Sequence, residues 1–342
     1  MKKLLILIVV ILSTFSLSLN AQEASDNSVD YIPDVSLDTR FGYSHDFAEK
    51  AGRFGGHGLF LDINGQISPN FSYSFNHSVA YYEGGDALGF GNTNWLTLTY
   101  ETDNFYISAG KEDIKIGNFE YNEYDIDSYW EMNSLFWNNI SPWQWGISGG
   151  WYPADGQTIL AQVANSPFSD IDIFNLFAYS LGWQGEWDCY NSYWSVNMWQ
   201  YDKGQYVKSL NLGNRFYVGD FRFDLDYSTR ATDIKKAFTS DFTLAFAPSY
   251  EWEWGRAFAK FGWERVEEDY FGYEFNGNNL FYGLGAEFFP LKEYKDIRVH
   301  ALWASNSQYT GGHYLNIGLT WKLNLTQAGK SLFNKLKKTS NE

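Results

Sequence analysis

The sequence predicts an all-β protein, a transmembrane antiparallel β-barrel of about 16 strands. Three observations support this fold class. Apolar and polar side chains alternate in many short segments, tight turns alternate with longer connections, and an export signal precedes a chain without a long apolar run. Aromatic residues make up 20% of the chain, which has only 7 Pro and 1 Cys, so no disulfide framework is expected.

The N-terminus has the pattern of an export signal. Lys2 and Lys3 precede an uninterrupted aliphatic run over residues 4–12, and a Ser-rich stretch leads to Ala21. We predict that residues 1–21 are a cleaved signal peptide, because the run is too short to cross about 30 Å of hydrocarbon as an anchor. No later apolar run reaches 18 residues. The exported chain is therefore either soluble in the cell envelope or a β-barrel.

The first alternating segment follows a short N-terminal segment, residues 22–34, which we predict to be periplasmic. One set, mostly apolar, consists of Val35, Leu37, Thr39, Phe41 and Tyr43, and the intervening, mostly polar residues are Ser36, Asp38, Arg40, Gly42 and Ser44. In an extended chain these two sets lie on opposite faces.

The same period recurs along the whole chain. It predicts strands at 35–45, 57–67, 71–82, 92–100, 104–112, 143–152, 157–165, 176–187, 193–201, 205–218, 221–230, 240–252, 256–265, 279–289, 296–305 and 313–325. Their even number is what a bacterial outer-membrane barrel requires. The barrel is thus predicted over 35–325, followed by a basic periplasmic tail over 326–342, which forms either a short amphipathic helix or a frayed end.

The connections alternate in length. Tight turns are predicted at 68–70, 102–103, 153–156, 188–191, 219–220 and 253–255, and longer loops at 46–56, 83–91, 113–142, 166–175, 231–239 and 266–278. The short gap at 202–204 is the exception. Short turns at one end and long loops at the other are typical of a transmembrane barrel. A β-sandwich or propeller, the alternative, would leave the outer apolar stripes exposed to water.

Charge and motifs exclude several function classes. The formal net charge is −16, with 41 acidic and 25 basic residues, so nucleic acid is not an expected partner. The five His belong to no catalytic motif, and no phosphate loop or dinucleotide fingerprint occurs. Cys189 has no partner for a disulfide or a thiolate metal site. The sequence therefore predicts no enzyme activity, no cofactor and no metal.

Several segments resemble a known family. They are FYISAGK at 105–111, WQWGIS at 143–148, GNRF at 213–216, GDFRFDLDY at 219–227 and EFFPL at 287–291. Together they are similar to the phosphate-selective porin O and P family of Gram-negative outer membranes, over nearly all of the chain after the signal peptide. These segments are diffuse strand patterns, so the resemblance bears on fold and location more than on solute.

The resemblance implies a sixteen-stranded barrel, usually a homotrimer, embedded in outer-membrane lipid. It also implies that the third external loop folds into the lumen, and 113–142 is the longest predicted loop. Leu319, Trp321 and Leu323 in the terminal strand resemble the signal that the barrel-assembly machinery reads. The expected function is passive diffusion of ions or small hydrophilic solutes.

The strand phases predict which charged side chains face the lumen. The pore-lining candidates are Asp38, Arg40, Asp62, Arg215, Arg222, Asp224, Asp226, Arg230, Arg256, Lys260, Arg298, His300 and Lys322, and Glu264 and Glu287 share their face. Such charges either bias ion passage or pair with one another and brace the wall, and the sequence leaves both interpretations open.

The long loop supplies the candidates for a constriction. They are Asp113, Lys115, Glu120, Glu123, Asp125, Asp127 and Glu131. With one base among them, a constriction built from this loop would be acidic and favour cations or neutral solutes. A phosphate-selective passage would instead be basic. The loop's aromatic residues could stack on sugars or pack against the wall.

Two other functions fit the same pattern. A barrel plugged by its long loop could serve as an adhesin, a structural element or an assembly partner without conducting. A soluble periplasmic β-protein is the third alternative.

Overall fold

The computed structural model describes residues 32–79, 92–122, 125–168, 175–233, 240–267, 276–292, 294–306 and 312–331. In sequence order the strands are β1 (Asp34–Asp46), β2 (Ala51–Ser68), β3 (Phe71–Ser78), β4 (Thr93–Glu101), β5 (Phe105–Asp113), β6 (Trp143–Ala154), β7 (Gln157–Asn165), β8 (Phe177–Trp187), β9 (Tyr190–Asp202), β10 (Gln205–Val218), β11 (Phe221–Ala231), β12 (Phe242–Trp252), β13 (Gly255–Val266), β14 (Gly277–Phe288), β15 (Ile297–Asn306) and β16 (Gly312–Asn324). Each pairs antiparallel with its sequence neighbours, and β1 pairs with β16 to close the barrel.

The predicted fold class is confirmed: the chain forms a closed antiparallel barrel of 16 strands whose third loop folds inward. The period of two locates most strands to within a few residues, since alternate side chains must face opposite sides of a closed sheet. The predicted signal peptide (1–21), most of the 22–34 segment and residues 332–342 of the tail lie outside the described residues. Residues 325–331 of the tail region are helical.

One predicted loop is wrong. Residues 46–56 were expected to connect the first two strands, but the connection spans only 47–50. The β1–β2 ladder continues past a bulge at Arg40 and Phe41, so that Tyr43 pairs with Phe54. Glycines in this part of β2 conceal the alternation, yet the ladder needs only their backbone groups.

The two rims of the barrel differ. At the turn rim, where β1 begins and β16 ends, connections such as 69–70, 188–189 and 219–220 are tight. At the loop rim the longest connection is 114–142, which we call the third loop.

The outer surface is apolar. Side chains at least half exposed include Ile107, Ile147, Leu181, Phe261, Leu280 and Leu284. Aromatic rings contact one another near the turn rim, as in Phe71 with Tyr100 and Phe221 with Tyr250. An apolar band with aromatic rings at its edge matches the hydrocarbon of a bilayer and its interface.

No helix within the described ranges is both long enough and apolar enough to cross a membrane.

The outer band generates a stability prediction. Leu284 lies mid-strand in β14 and is 57% exposed. Leu284→Arg should lower the free energy of unfolding by about 2–4 kcal/mol in lipid vesicles, because it places a charge in hydrocarbon. Val218→Arg at the turn rim is the matched control and should cost at most about 1 kcal/mol. Urea titration of both variants measures this, and equal costs would contradict a lipid-facing band.

Candidate functional site in the lumen

The third loop forms most of the lumen structure. It leaves β5, contains two 3₁₀ turns (Asp125–Asp127 and Trp130–Met132) and one short helix, α1 (Leu135–Asn139), and returns to β6. The amide of Ile114 donates to the carbonyl of Pro142 over 2.8 Å, which closes the base of the loop. Its many buried side chains show that the loop packs against the inner wall.

Apolar packing anchors the loop to β8, β9 and β10. Tyr121 and Phe136 are each 1% exposed and belong to one cluster with Trp199 and Val207 of the wall. The rings of Phe136 and Trp199 are stacked with centroids 5.9 Å apart. These two loop aromatics therefore pack against the barrel wall, one of the two roles open from the sequence.

Wall carboxylates hold the loop backbone. Asp226 accepts the amides of Phe119 and Glu120 at 2.9 and 2.7 Å. Glu264, fully buried, accepts the amides of Leu135 and Phe136 at the start of α1, at 2.7 and 3.2 Å. Buried N–H groups are costly unless they are hydrogen-bonded, so these carboxylates determine where the loop lies.

Two glycines allow the backbone of the third loop to approach the backbone of the wall closely. A Cβ on Gly117 of the loop would lie 2.4 Å from the amide nitrogen of Ser195, and one on Gly213 of β10 would lie 2.7 Å from Cα of Asn118. Both distances are shorter than van der Waals contact. Only glycine at these two positions permits the observed docking.

Wall bases pair with loop acids. Lys260 Nζ lies 3.3 Å from Glu120 Oε1, and Lys322 Nζ lies 2.7 Å from Asp127 Oδ2. Arg298 also pairs with Asp127. Much of the loop's acidity is therefore neutralised by the wall.

The side chain of Arg40 binds backbone carbonyl groups of the loop. Its guanidinium donates to the carbonyl oxygens of Ile126 and Ser128, the latter at 2.7 Å, and lies 4.1 Å from the centre of the Tyr129 ring. The Tyr129 hydroxyl donates to Glu287 Oε1 at 2.8 Å.

Other wall charges pair within the wall. Arg215 makes a two-point contact with Asp224, with its Nε 2.6 Å from Oδ1 and its Nη2 2.8 Å from Oδ2. Arg230 Nε pairs with Asp241 Oδ1 at 2.6 Å. Further contacts include those of Arg222 with Asp224, Arg256 with Glu287, His300 with Asn316, and Asn76 with Asp62. Asp38 is buried in the same wall.

Two cavities lie on the other side of the lumen. The larger, about 510 Å³, is lined by Trp95, Thr97, Thr99, Glu101, Tyr106, Ser108, Glu112, Asp113, Lys115, Trp143 and Tyr152. The smaller, about 400 Å³, is lined by Ile32, Asp34, Asn64, Gly65, Gln66, Ser72, Tyr73, Ser74, Thr97 and Thr99. They share Thr97 and Thr99, so the two spaces adjoin on the β2–β6 side.

The predicted site residues are thus divided between two environments. None of the predicted wall candidates lines either cavity, and most of them contact the third loop or one another. Of the loop candidates, Asp113 and Lys115 line the larger cavity, whereas Glu120 and Asp127 contact wall bases. Glu123 and the side chain of Asp125 lie outside the described part of the chain.

Sequence reasoning overlooked most of the cavity lining. Trp95, Thr97, Thr99 and Glu101 alternate with outward residues of β4, and Tyr106, Ser108 and Glu112 do so in β5. The period of two could have placed them inward. β4 and β5 contain only one Lys and no Arg, whereas the predicted pore-lining residues lie on strands richer in basic side chains.

Ionisation in the loop follows burial and pairing. Burial alone would raise the pKa of Asp127, but Arg298 and Lys322 outweigh it and hold the pKa below its usual range. Burial raises the pKa of Glu131 to about 7, despite opposing effects that include the nearby Arg40. Glu131 is therefore a loop carboxyl whose charge changes near neutral pH.

Within the described residues, no group of three or more His, Cys, Asp or Glu side chains could hold a metal ion. Cys189 is exposed.

Comparisons with solved structures show the same architecture. The chain is similar to the outer-membrane channel DcaP of Acinetobacter baumannii, with 11% identity, a TM-score of 0.59 and coverage of 85% of this chain and 95% of that one. It is similar to OmpT, an outer-membrane protein of Vibrio cholerae, with 12% identity, a TM-score of 0.58 and coverage of 85% and 99%. It is also similar to a mutant Rh. blastica porin, with 12% identity, a TM-score of 0.57 and coverage of 85% of this chain and 100% of that one.

No family model matches the chain, and no curated protein matches it. The resemblance to the phosphate-selective porin O and P family therefore stays a prediction, while the similarity to porins at these identities shows the fold.

The buried loop carboxyl generates a pH prediction. Because the pKa of Glu131 is raised on folding, the native state binds the proton more tightly than the unfolded chain. Stability should therefore fall as the pH rises from about 5 to about 8, and Glu131→Gln should flatten this dependence. Urea midpoints at several pH values measure it, with Glu186→Gln at the turn rim as the control. An unchanged slope in Glu131→Gln would contradict the assignment.

Proposed function

We propose that this protein is a passive channel in the outer membrane, and that ions or small hydrophilic solutes, cations preferred, diffuse along the β2–β6 side of its lumen. One observation carries this proposal. The third loop packs on β8–β16, β1 and the loop-rim half of β2, where wall bases pair with its acids, and the two adjoining cavities lie mainly along β2–β6.

The charge of the cavity lining supports a preference for cations. Among the described residues, the charged side chains that line the two cavities are Asp34, Glu101, Glu112 and Asp113, with Lys115 as the single base. Fixed charges in a narrow, low-dielectric passage concentrate counter-ions of opposite sign. The basic side chains expected of a phosphate passage lie elsewhere, bound to the loop and to wall carboxylates.

Lys115 only partly offsets this lining. Its ammonium lies 2.8 Å from Asp113 Oδ1 and 3.4 Å from Glu112 Oε2. Burial would lower the pKa of Lys115, but Asp113 and Glu112 outweigh burial and raise it, so the side chain stays protonated. One cation shared by two carboxylates leaves a net negative charge.

The cellular setting belongs to the same proposal. Residues 1–21 direct export and are removed, the barrel meets outer-membrane lipid, and the segments 22–34 and 326–342 are periplasmic. The assembly machinery and a homotrimeric state follow from the resemblance, and a trimer form is described for OmpT. No catalytic role, cofactor or metal is proposed.

A non-conducting barrel is the second candidate. The extent of loop packing against β8–β10 favours it, because a loop held this firmly could act as a permanent plug. Such a barrel would serve as an adhesin, a structural element or an assembly partner.

Replacing the docked part of the loop separates the two functions. The intact barrel should give stepwise conductance in planar bilayers, and replacing 118–137 by a short Gly-Ser linker should raise the conductance severalfold, because it empties the β8–β16 side. β5 and β6 pair as far as Asp113 with Trp143, so a short linker together with the retained residues 114–117 and 138–142 can bridge the two strand ends. Heat-dependent gel migration checks that both barrels are folded. No conductance from the folded intact barrel would contradict the channel.

Ion selectivity tests the charge assignment. Under a salt gradient, Glu101→Gln should shift the reversal potential toward weaker cation preference, and Lys115→Gln should shift it the other way. Glu186→Gln removes one carboxylate outside both cavities and should leave the potential unchanged. Equal shifts in Glu101→Gln and Glu186→Gln would show that net charge, not the cavity, determines selectivity.

A further inference from the structure

The larger cavity combines carboxylates with aromatic rings, and we propose that it is a binding site for small organic cations that carry an ammonium or guanidinium group. The inference deepens the proposed channel function and rests on it. The channel would hold such a solute transiently during passage, whereas inorganic ions would only follow the electrostatic field.

Aromatic rings form part of the cavity wall. Tyr106 and Tyr152 lie with ring centroids 6.1 Å apart and their planes inclined by 39°. The Tyr106 ring lies over Gly150, where a Cβ would be 2.2 Å from ring carbon Cε1. Because Gly150 has no side chain, the ring can settle against the wall.

A third ring is fixed on the neighbouring strand. The indole N–H of Trp95 donates to Ser74 Oγ at 2.8 Å, which orients this cavity-lining side chain. Trp is the side chain whose ring attracts cations most strongly.

The carboxylates are distributed along the same cavity. Near the turn rim, Glu101 Oε1 accepts the hydroxyl of Tyr152 at 2.6 Å. Farther along, Glu112 is only 5% exposed and its Oε2 accepts the hydroxyl of Ser148 at 2.9 Å. Its other oxygen, Oε1, is buried and accepts no hydrogen bond from the described residues. A buried carboxylate is poorly screened by water, so Glu112 adds to the negative field of the cavity.

Lys115 shows that the site accommodates an ammonium group. Its Nζ is placed between Asp113 and Glu112, at the end of the cavity farther from Glu101. A mobile solute bearing the same group would meet the same carboxylates. Lys115 is therefore an internal competitor, and its removal should strengthen solute binding.

Organic cations match this lining better than the other solute classes. Anions are repelled by its net negative charge. Small inorganic cations keep their hydration shells, whereas ammonium and guanidinium groups on organic bodies gain from contact with aromatic faces. Neutral sugars could stack on the rings but gain nothing from the charge, which makes them the informative comparison.

The test uses arginine, which has a net positive charge, and citrulline, an isostere with a neutral side chain and no net charge, as blockers of potassium chloride current through the full-length channel. Arginine should half-block at a concentration about tenfold lower than citrulline or glucose. Glu101→Gln should weaken the arginine block about threefold, and Lys115→Met should strengthen it about threefold. Glu186→Gln should have no effect. A role of Lys115 confined to bracing the loop would not produce a stronger block.

Other outcomes overturn the proposal. Equal block by arginine and citrulline would exclude a cation site while leaving the channel intact, and stronger block by glucose would assign the cavity to sugars. If the folded barrel does not conduct, the proposed channel fails, and saturation-transfer NMR of arginine and citrulline with the barrel in detergent then tests the cavity alone. Equal saturation transfer to arginine and citrulline would overturn the proposed cation site. Gel migration confirms the folding of each variant.

Discussion

The position of the third loop is determined by the need to hydrogen-bond its buried backbone inside the barrel. A loop folded into a lumen loses water from its amides, and each unpaired N–H costs free energy on the order of a kcal/mol or more. Here Asp226 and Glu264 each accept two amides of the loop. These carboxylates lie on β11 and β13, so they bind the loop to that side of the wall. The asymmetry of the lumen follows from their placement.

Packing reinforces the same asymmetry. The docking side provides Trp199 and Val207 for an apolar cluster and Gly213 for close backbone approach. The inner faces of β4 and β5 instead provide hydroxyls, carboxylates and the rings of Trp95 and Tyr106, which line the larger cavity. Apart from its first residues, which include Lys115, the loop docks away from the larger cavity, so one inner surface holds most of the loop while the other remains for solute.

Much of the fold could be predicted from the sequence, because the period of two is imposed locally by a closed sheet. β7 and β10 begin and end where the alternation does. The site was harder to predict. Glu264 could be assigned to the inner face from its strand phase, but its partners at the start of α1 are far away in sequence. Docking across β8–β16 depends on contacts that no strand pattern encodes, and the glycines of β2 concealed even a local ladder.

Because the docked loop pairs with some wall charges and not with others, the charges counted along the chain give an incomplete account of the lumen. Basic side chains such as Arg40 and Lys260 face inward, as a passage for anions would require, yet each is bound to the loop. A paired charge contributes little field at a distance, because its partner cancels it. The field in the open space therefore depends on the few charges that line it, of which Glu101 and Glu112 are acidic. Selectivity in such a barrel is thus determined jointly by the wall and by the side on which the loop docks.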